Sequence, residues 1–362
     1  MITAEAKAII NKIKNRGFEA MAVGGCVRDF LHYNIQSSDI DIATTSTPEQ
    51  TKKIFLNDKF SIISDAEKFG CIMINSNETG ITYEITTLRS DYNQDGRHAD
   101  IKFESSFLED SKRRDFTMNA LYSDIDGNIL DYHNGVCDLK NNLVRFVGNP
   151  EDRICEDYLR IMRFFRFCAK FNNSFDAIGL NVCKKYQHKI NTISTERFTG
   201  ELIKICRQEY NNDAIFKMQE IGLFNSWFDT DIDFNILPNC KDLSKKQIIA
   251  ILFKKIDANI VAKLDLSNND KRFIYNYNSV KNDCRICNFY KIEKKFLQEI
   301  LDILPYKINH RLILNLPILP IDGNYFKDKG FLGKRIAEKL NNALLLWIEC
   351  NFNNNLFFEK IC

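Results

Sequence analysis

Long apolar runs are missing from this chain. No stretch approaches the roughly 20 residues that a membrane-spanning helix needs, so the sequence reads as having no membrane partner. The uncharged core of an export signal is missing too. Glu5, Lys7, Lys12 and Lys14 interrupt Ala4, Ala8, Ile9 and Ile13, and residues 1–17 read as an amphipathic helix ending near Gly17. An acid as early as Glu5 also speaks against a mitochondrial presequence. Histidine is scarce, at 5 residues, and no His-Asp dipeptide occurs, which leaves no hydrolase module built on a His-Asp metal pair. The 12 cysteines form no framework: Cys284 and Cys287 make the one C-x-x-C, with neither a second pair nor a histidine pair beside it, so no zinc site is expected. In a chain without an export signal these cysteines read as reduced residues of a cytoplasmic protein. Internal repeats and low-complexity tracts are absent as well.

What is there is a 362-residue chain with 44% hydrophobic and 27% charged residues, enough for two or more compact units. The net charge of +2 is unevenly spread. From residue 241 onward there are 21 Lys+Arg against 13 Asp+Glu, and before it 29 against 35. An acidic first part and a basic last part suit an anionic polymer held by the C-terminal region, although solvated lysine faces on helices give the same count. Residues 18 to about 147 mix short apolar runs with turns. Strands are expected at Ala20–Val23, Ile40–Ala43, Phe69–Ile74, Tyr83–Thr87 and Ala120–Ser123, with a helix at Pro48–Leu56 capped by Thr47. After Asn149-Pro150 the pattern turns helical, with helices expected from Arg153 to Phe167, at the start Thr195–Leu202 with Thr195 as cap, and at Asp213–Ile221, Lys245–Lys255 and Lys334–Trp347. The polar stretch 90–100 reads as a mobile loop with an Asp-Gly turn.

The chain is organised around Ser38-Asp39-Ile40-Asp41-Ile42. On a strand, Asp39 and Asp41 share one face, and paired carboxylates repel unless a cation lies between them. Mg²⁺ meets that need and also takes phosphate oxygens. Just upstream, Gly24 and Gly25 precede a helix expected at Val27–Tyr33, where close backbone approach and free N–H groups suit a phosphate. Arg28 adds a charged fork there. Glu84 becomes a third carboxylate if its strand lies beside that of Asp41. In Lys112-Arg113-Arg114-Asp115, Asp115 can orient one arginine while another faces an anion.

On a continuous helix Asp157 and Arg160 are neighbours three residues apart, while Arg166 lies half a turn from Asp157. An acceptor carboxylate beside a donor guanidinium matches the amino group and ring nitrogen of cytosine and of adenine. Uracil and guanine present the reverse pattern and leave groups unpaired, at roughly 1–3 kcal/mol each. With metal-held carboxylates, these parts describe two-metal, in-line nucleotidyl transfer with side chains as the template.

Gly-Gly-Cys-Val-Arg-Asp, Asp-Ile-Asp, Arg-Arg-Asp-Phe-Thr-Met-Asn-Ala-Leu, Glu-Asp-Tyr-Leu-Arg and Glu-Arg-Phe-x-x-Glu-Leu, in that order across residues 20 to about 205, resemble the motifs of class II tRNA nucleotidyltransferases, the CCA-adding enzymes, which bacterial poly(A) polymerases share. The resemblance implies an α+β nucleotidyltransferase head at residues 1–148, followed by an all-α neck (149–208, nucleobase-binding), body (209–280) and tail (281–362, tRNA-binding). It implies Mg²⁺ on Asp39 and Asp41, Glu84 as the third catalytic carboxylate, and Gly25, Arg28 and Arg114 on the triphosphate. Asp157 and Arg160 would read the base, with Arg163 and Arg166 also in nucleotide binding, and loop 90–100 would help switch from C to A. The implied activity is addition of C, C and A to tRNA from CTP and ATP. Poly(A) synthesis and CC-only or A-only addition are the alternatives within the family, and an inactive RNA-binding protein is the alternative outside it. The chain ends in Phe357-Phe358-Glu359-Lys360-Ile361-Cys362 without a long basic extension, which favours CCA over poly(A) addition.

Overall fold

The computed structural model describes residues 2–37, 39–56, 59–63, 70–95, 98–104, 106–172, 174–229, 232–281, 285–305 and 308–361. Ser38 of the central stretch, Phe69 at the start of an expected strand, Gly96 and Arg97 of the expected loop, and Cys284 lie outside the described residues. Two compact units are present: Met1–Ile232 with Pro238–Lys241, and Asp233–Leu237 with Asp242–Cys362.

The first unit begins with α1 (Ala4–Lys14), whose buried Ala6, Ile9, Ile10 and Ile13 face the sheet side. The strands are β1 (Ala20–Val23), β2 (Ile40–Thr44), β3 (Phe60–Ile63), β4 (Cys71–Ser76), β5 (Thr82–Thr87), β6 (Arg89–Asp95), β7 (His98–Phe103), β8 (Leu121–Ser123) and β9 (Ile129–Asp131). Seven of them form one mixed sheet in the order β3-β4-β5-β2-β1-β8-β9. β2 and β5 run parallel, while the other neighbours in this sheet are antiparallel. α2 (Gly25–Tyr33) follows β1 directly, and α3 (Pro48–Phe55) starts on a reciprocal capping box between Thr47 and Gln50.

In its described residues the expected loop 90–100 is instead part of a two-stranded antiparallel ribbon, β6 with β7, in register from Arg89↔Phe103. Its polar composition hid it, because a ribbon outside the main sheet needs no alternating apolar face. α4 (Phe107–Lys112) and α5 (Gly135–Lys140) complete the sheet layer.

The helical part of this unit comprises α6 (Pro150–Glu156), α7 (Leu159–Lys170), α8 (Ala177–Tyr186), α9 (Thr195–Cys206), α10 (Asn211–Glu220) and α11 (Leu223–Phe228). The unit is thus a mixed sheet with helices packed on it, followed by helices alone, the α+β then all-α order expected of this part of the chain. Three local expectations need correction. Ser194, not Thr195, caps α9, accepting a hydrogen bond from the Arg197 amide. α2 starts at Gly25 rather than Val27. The helix expected from Arg153 to Phe167 breaks at Asp157, whose φ of −155° and ψ of 107° are extended. The Asp157 side chain accepts from the Leu159 amide, and short acids that bond nearby backbone in this way favour helix ends over interiors.

The second unit is helical. Lys245–Leu252, Asn268–Lys281 and Lys294–Leu301 pack Ile248, Phe273, Tyr277, Phe296 and Ile300 inward. Lys334–Glu349 and Asn354–Ile361 bury Trp347 and Phe357 in a further cluster.

Close packing of α5 against the turn at Thr117–Asn119 fixes one backbone approach. A Cβ added at Gly135 would lie 2.2 Å from the Thr117 carbonyl oxygen, whereas one at Gly200, inside α9, meets nothing within 4 Å. Denaturant titration is expected to show Gly135→Ala destabilised by at least about 1–3 kcal/mol. Gly200→Ala is expected to gain up to about 1 kcal/mol.

Candidate active site

The parallel register of β2 and β5 sets Asp41 beside Glu84; Glu84 in turn faces Met73 on β4, and Asp41 faces Val23 on β1. Residues opposite one another in register share a face, so two carboxylates stand side by side in mid-sheet. Asp39, immediately before β2, is exposed. Burial, then the charges of Glu84 and Asp39, push the Asp41 carboxyl up to about 6, and Arg114 and Arg28 offset only part of this. That surplus of negative charge is the observation against which a metal is tested, and it fits a hard cation. No group of three or more His, Cys, Asp or Glu side chains among the described residues is placed to hold a metal by itself. Asp39 and Asp41 therefore suit an ion that completes its shell with ligand oxygens, the usual habit of Mg²⁺.

Gly24 leads from β1 into α2 at a φ of 74°, a conformation that side chains disfavour. A Cβ there would come within 3.7 Å of Arg114 Nη1 and 4.0 Å of Asp41 Oδ2. At Gly25, by contrast, a Cβ would make only an ordinary contact with Arg28, so Gly24 is the position that needs glycine.

Each arginine near the carboxylates is held by an acid, and two of them share one. Arg28 donates through Nε and Nη2 to Asp29 (2.8 and 2.9 Å) and through Nη1 to Asn119 Oδ1 (2.6 Å). Lys170 Nζ donates to the same Asp29 at 2.7 Å. Arg113 and Arg114 do not pair with Asp115, as the sequence suggested. Both donate to the buried Asp110, at 2.7 and 2.9 Å through their Nη2 atoms, and the Tyr122 hydroxyl donates to it at 2.7 Å. Asp110 precedes the two arginines by three and four residues, a helical spacing that could have revealed it. Asp115 instead accepts from Asn119 (2.9 Å) and from Arg163 of α7 (2.7 Å), 48 residues away in sequence.

Asp157 and Arg160 are not an ion pair across one helical turn, because the helix breaks between them. Asp157 Oδ2 accepts from Arg197 Nη2 at 2.5 Å. Arg160 donates to the Glu156 carboxylate and to the carbonyls of Arg153 (2.9 Å) and Arg113 (3.1 Å). Arg166 donates to Glu201 at 3.1 Å and lies over the Phe167 ring.

A cavity of about 730 Å³ gathers these side chains. Gly24, Gly25, Arg28, Asp39, Asp41, Arg114, Asp157, Arg160, Arg163 and Arg166 all line it. Glu84 lies in an adjoining cavity of about 340 Å³, which shares Asp41, Arg113 and Arg114 with the first. Lys170, Arg197, Lys204 and Gln208 also line the larger cavity and were not foreseen there; Arg197 lies within the Glu-Arg-Phe-x-x-Glu-Leu motif, whereas no motif points to the other three, which α7, α9 and the residues just after α9 bring in.

Burial would raise Asp110 and Asp115, but Arg114 and Arg113 on the first and Arg163 with Asn119 on the second outweigh it and hold each at about 2. An unfolded aspartate titrates near ~3.9, so their stabilisation is present above pH ~4 and is lost as pH falls through about 2. Urea titrations are expected to show the unfolding free energy dropping by roughly 2 kcal/mol per group over this window, with a shallower fall in Asp110→Asn.

The Poly A polymerase head domain family matches residues 20–145. The CCA-adding enzyme of Staphylococcus saprophyticus is 35% identical over 277 residues, 74% of this chain and 67% of that protein. The mitochondrial CCA tRNA nucleotidyltransferase 1 of Mus musculus is 35% identical over 280 residues, 74% of this chain and 63% of that protein, so the match spans less than two thirds of its length. The crystal structure of the Bacillus stearothermophilus CCA-adding enzyme in complex with CTP superposes with a TM-score of 0.72 at 23% identity, over 96% of this chain and 93% of that one. At that identity the superposition speaks for the fold. With its sheet layer matched to the head domain and its sequence aligned along two thirds of a CCA-adding enzyme, this chain belongs to the family of CCA-adding tRNA nucleotidyltransferases.

Proposed function

We propose that the protein adds C, C and A stepwise to the 3′ end of tRNA from CTP and ATP, without a nucleic-acid template. One observation carries this reading: the aspartates of the Asp-x-Asp stretch and the Asp157/Arg160 set line the same cavity, although more than 110 residues separate them in sequence. Asp39 and Asp41 would hold Mg²⁺, singly or as a pair of ions, which lowers the pKa of an attacking hydroxyl and offsets charge on a leaving pyrophosphate. Gly24 and Gly25 with the start of α2, Arg28 and Arg114 take the triphosphate. The tRNA 3′-hydroxyl oxygen bonds to the α-phosphorus while the bond from that phosphorus to the bridging oxygen breaks. Pyrophosphate leaves with the electron pair, and the hydroxyl proton passes to a carboxylate of the Asp41–Glu84 pair.

Asp157 accepts from the base amino group and Arg160 donates to the ring nitrogen, with Arg163 and Arg166 beside them. Their present partners support this geometry: Arg197 orients Asp157, and Glu156 orients Arg160. We assign the head to 1–148, the neck to 149–208, the body to 209–280 and a tRNA-binding tail to 281–362, the last on its excess of basic residues. We place the reaction in the cytoplasm, a reading supported by cysteines that are mostly buried thiols.

The test is a tRNA transcript lacking its terminal CCA, given CTP alone, ATP alone, and both. Two C residues from CTP alone and one A only after them is the expected result; long A tracts without C would identify a poly(A) polymerase. Asp41→Asn is expected to lower kcat by roughly three orders of magnitude, about 4 kcal/mol of transition-state stabilisation. Asp157→Ala is expected to weaken discrimination against UTP and GTP by about tenfold, read from kcat/KM for the four nucleotides.

A further inference from the structure

The cavity of about 340 Å³ beside the larger one is built on the sheet face itself. Its floor is the row Met73, Glu84, Asp41 and Val23 in register across four strands, extended by the pair Cys71 and Thr86. Arg89, Arg113 and Arg114 form its wall. Resting on the function proposed above, we infer that this cavity receives the terminal nucleotide of the attacking strand, with Arg89 on its phosphate and Met73 under its sugar and base.

Three observations lead here. In-line displacement places the attacking hydroxyl and the leaving pyrophosphate on opposite sides of the α-phosphorus. The two cavities share Asp41, Arg113 and Arg114, while the glycine pair and Arg28 line only the first and Glu84 and Arg89 only the second. A volume of about 340 Å³ lies at the small end of ligand-sized cavities, about 300–1,000 Å³, which suits one nucleotide rather than a triphosphate with its base. The chemistry of the lining also fits a strand end. The growing terminus changes identity at each step, so its site has to tolerate different bases. Arg89 supplies a sequence-independent charge for a phosphodiester. Met73, in mid-sheet yet 36% exposed, supplies an adaptable apolar surface. Glu84, in register with Asp41, sits where it can accept the proton of the attacking hydroxyl.

The experiment is steady-state kinetics with a short acceptor hairpin RNA, varying RNA and CTP independently, together with equilibrium binding of CTP to the protein without RNA. Arg89→Ala is expected to raise KM for the RNA by about tenfold while CTP affinity stays within about twofold, and Arg89→Lys to restore part of the loss. Met73→Trp, which fills the cavity, is expected to act on the RNA in the same direction and to leave CTP binding intact; it carries the test if Arg89→Ala fails to fold, as judged by thermal unfolding. If both variants keep the wild-type KM for RNA, or if either loses CTP affinity instead, the assignment is overturned. Wild-type protein that incorporates no nucleotide would overturn the proposed function itself, a different outcome from an active enzyme indifferent to Arg89 and Met73.

Discussion

The parallel pairing of β2 with β5 is the constraint from which the site follows. It lays Asp41 against Glu84 in mid-sheet, with Asp39 one pleat away, and concentrates negative charge that the strands cannot separate. Burial first, and then the like charges of Glu84 and Asp39, raise the proton affinity of Asp41, which stands at about 6. Something positive has to answer, and the chain supplies arginines brought in from α2, from the Lys112–Asp115 segment and from α7.

Those arginines carry a cost of their own. A guanidinium half out of water needs partners, and breaking a buried pair leaves an uncompensated charge. The structure meets this with a set of acids, of which only Asp115 itself lines the larger cavity: Asp29 behind Arg28, Asp110 behind Arg113 and Arg114, Asp115 behind Arg163, and Glu201 behind Arg166. Asp110 is fully buried and Asp115 nearly so, so the arginines are fixed before any anion arrives. Preorganised charge of this kind loses little freedom on binding and has little to rearrange during reaction. Asn119 joins two of these units, accepting from Arg28 and donating to Asp115, and so links the helix after β1 to α7.

Aromatic packing supports the same junction. Phe116 and Phe146 pack together and against α7: Phe146 stacks on Phe164 at 5.5 Å between centroids, while Phe116 meets Phe167 edge-on at 5.3 Å and Phe164 at a tilt at 6.4 Å. The outer rings then serve the cations: Arg28 lies 5.0 Å and Arg166 4.5 Å from the Phe167 centroid. One phenylalanine thus closes the core on one side and carries the cationic wall on the other.

The sequence by itself determined what depends on near neighbours. The alternation of Ile40, Asp41 and Ile42, the glycine turn at Gly24, the Thr47 cap and the change to helix after Asn149-Pro150 each follow from spacing within a turn or a pleat, and each stands in the structure. Tertiary structure decided the rest. Strand order alone could put Glu84 beside Asp41, since a parallel neighbour 43 residues on leaves no local trace. The ribbon of β6 and β7 pairs backbone to backbone and shows no apolar period. The break at Asp157 came from a side chain bonding its own backbone in competition with the helix, and its partner Arg197 arrives from another helix altogether. Periodicity encodes which way a side chain faces, but which side chains meet is set by register and packing between segments far apart in the chain.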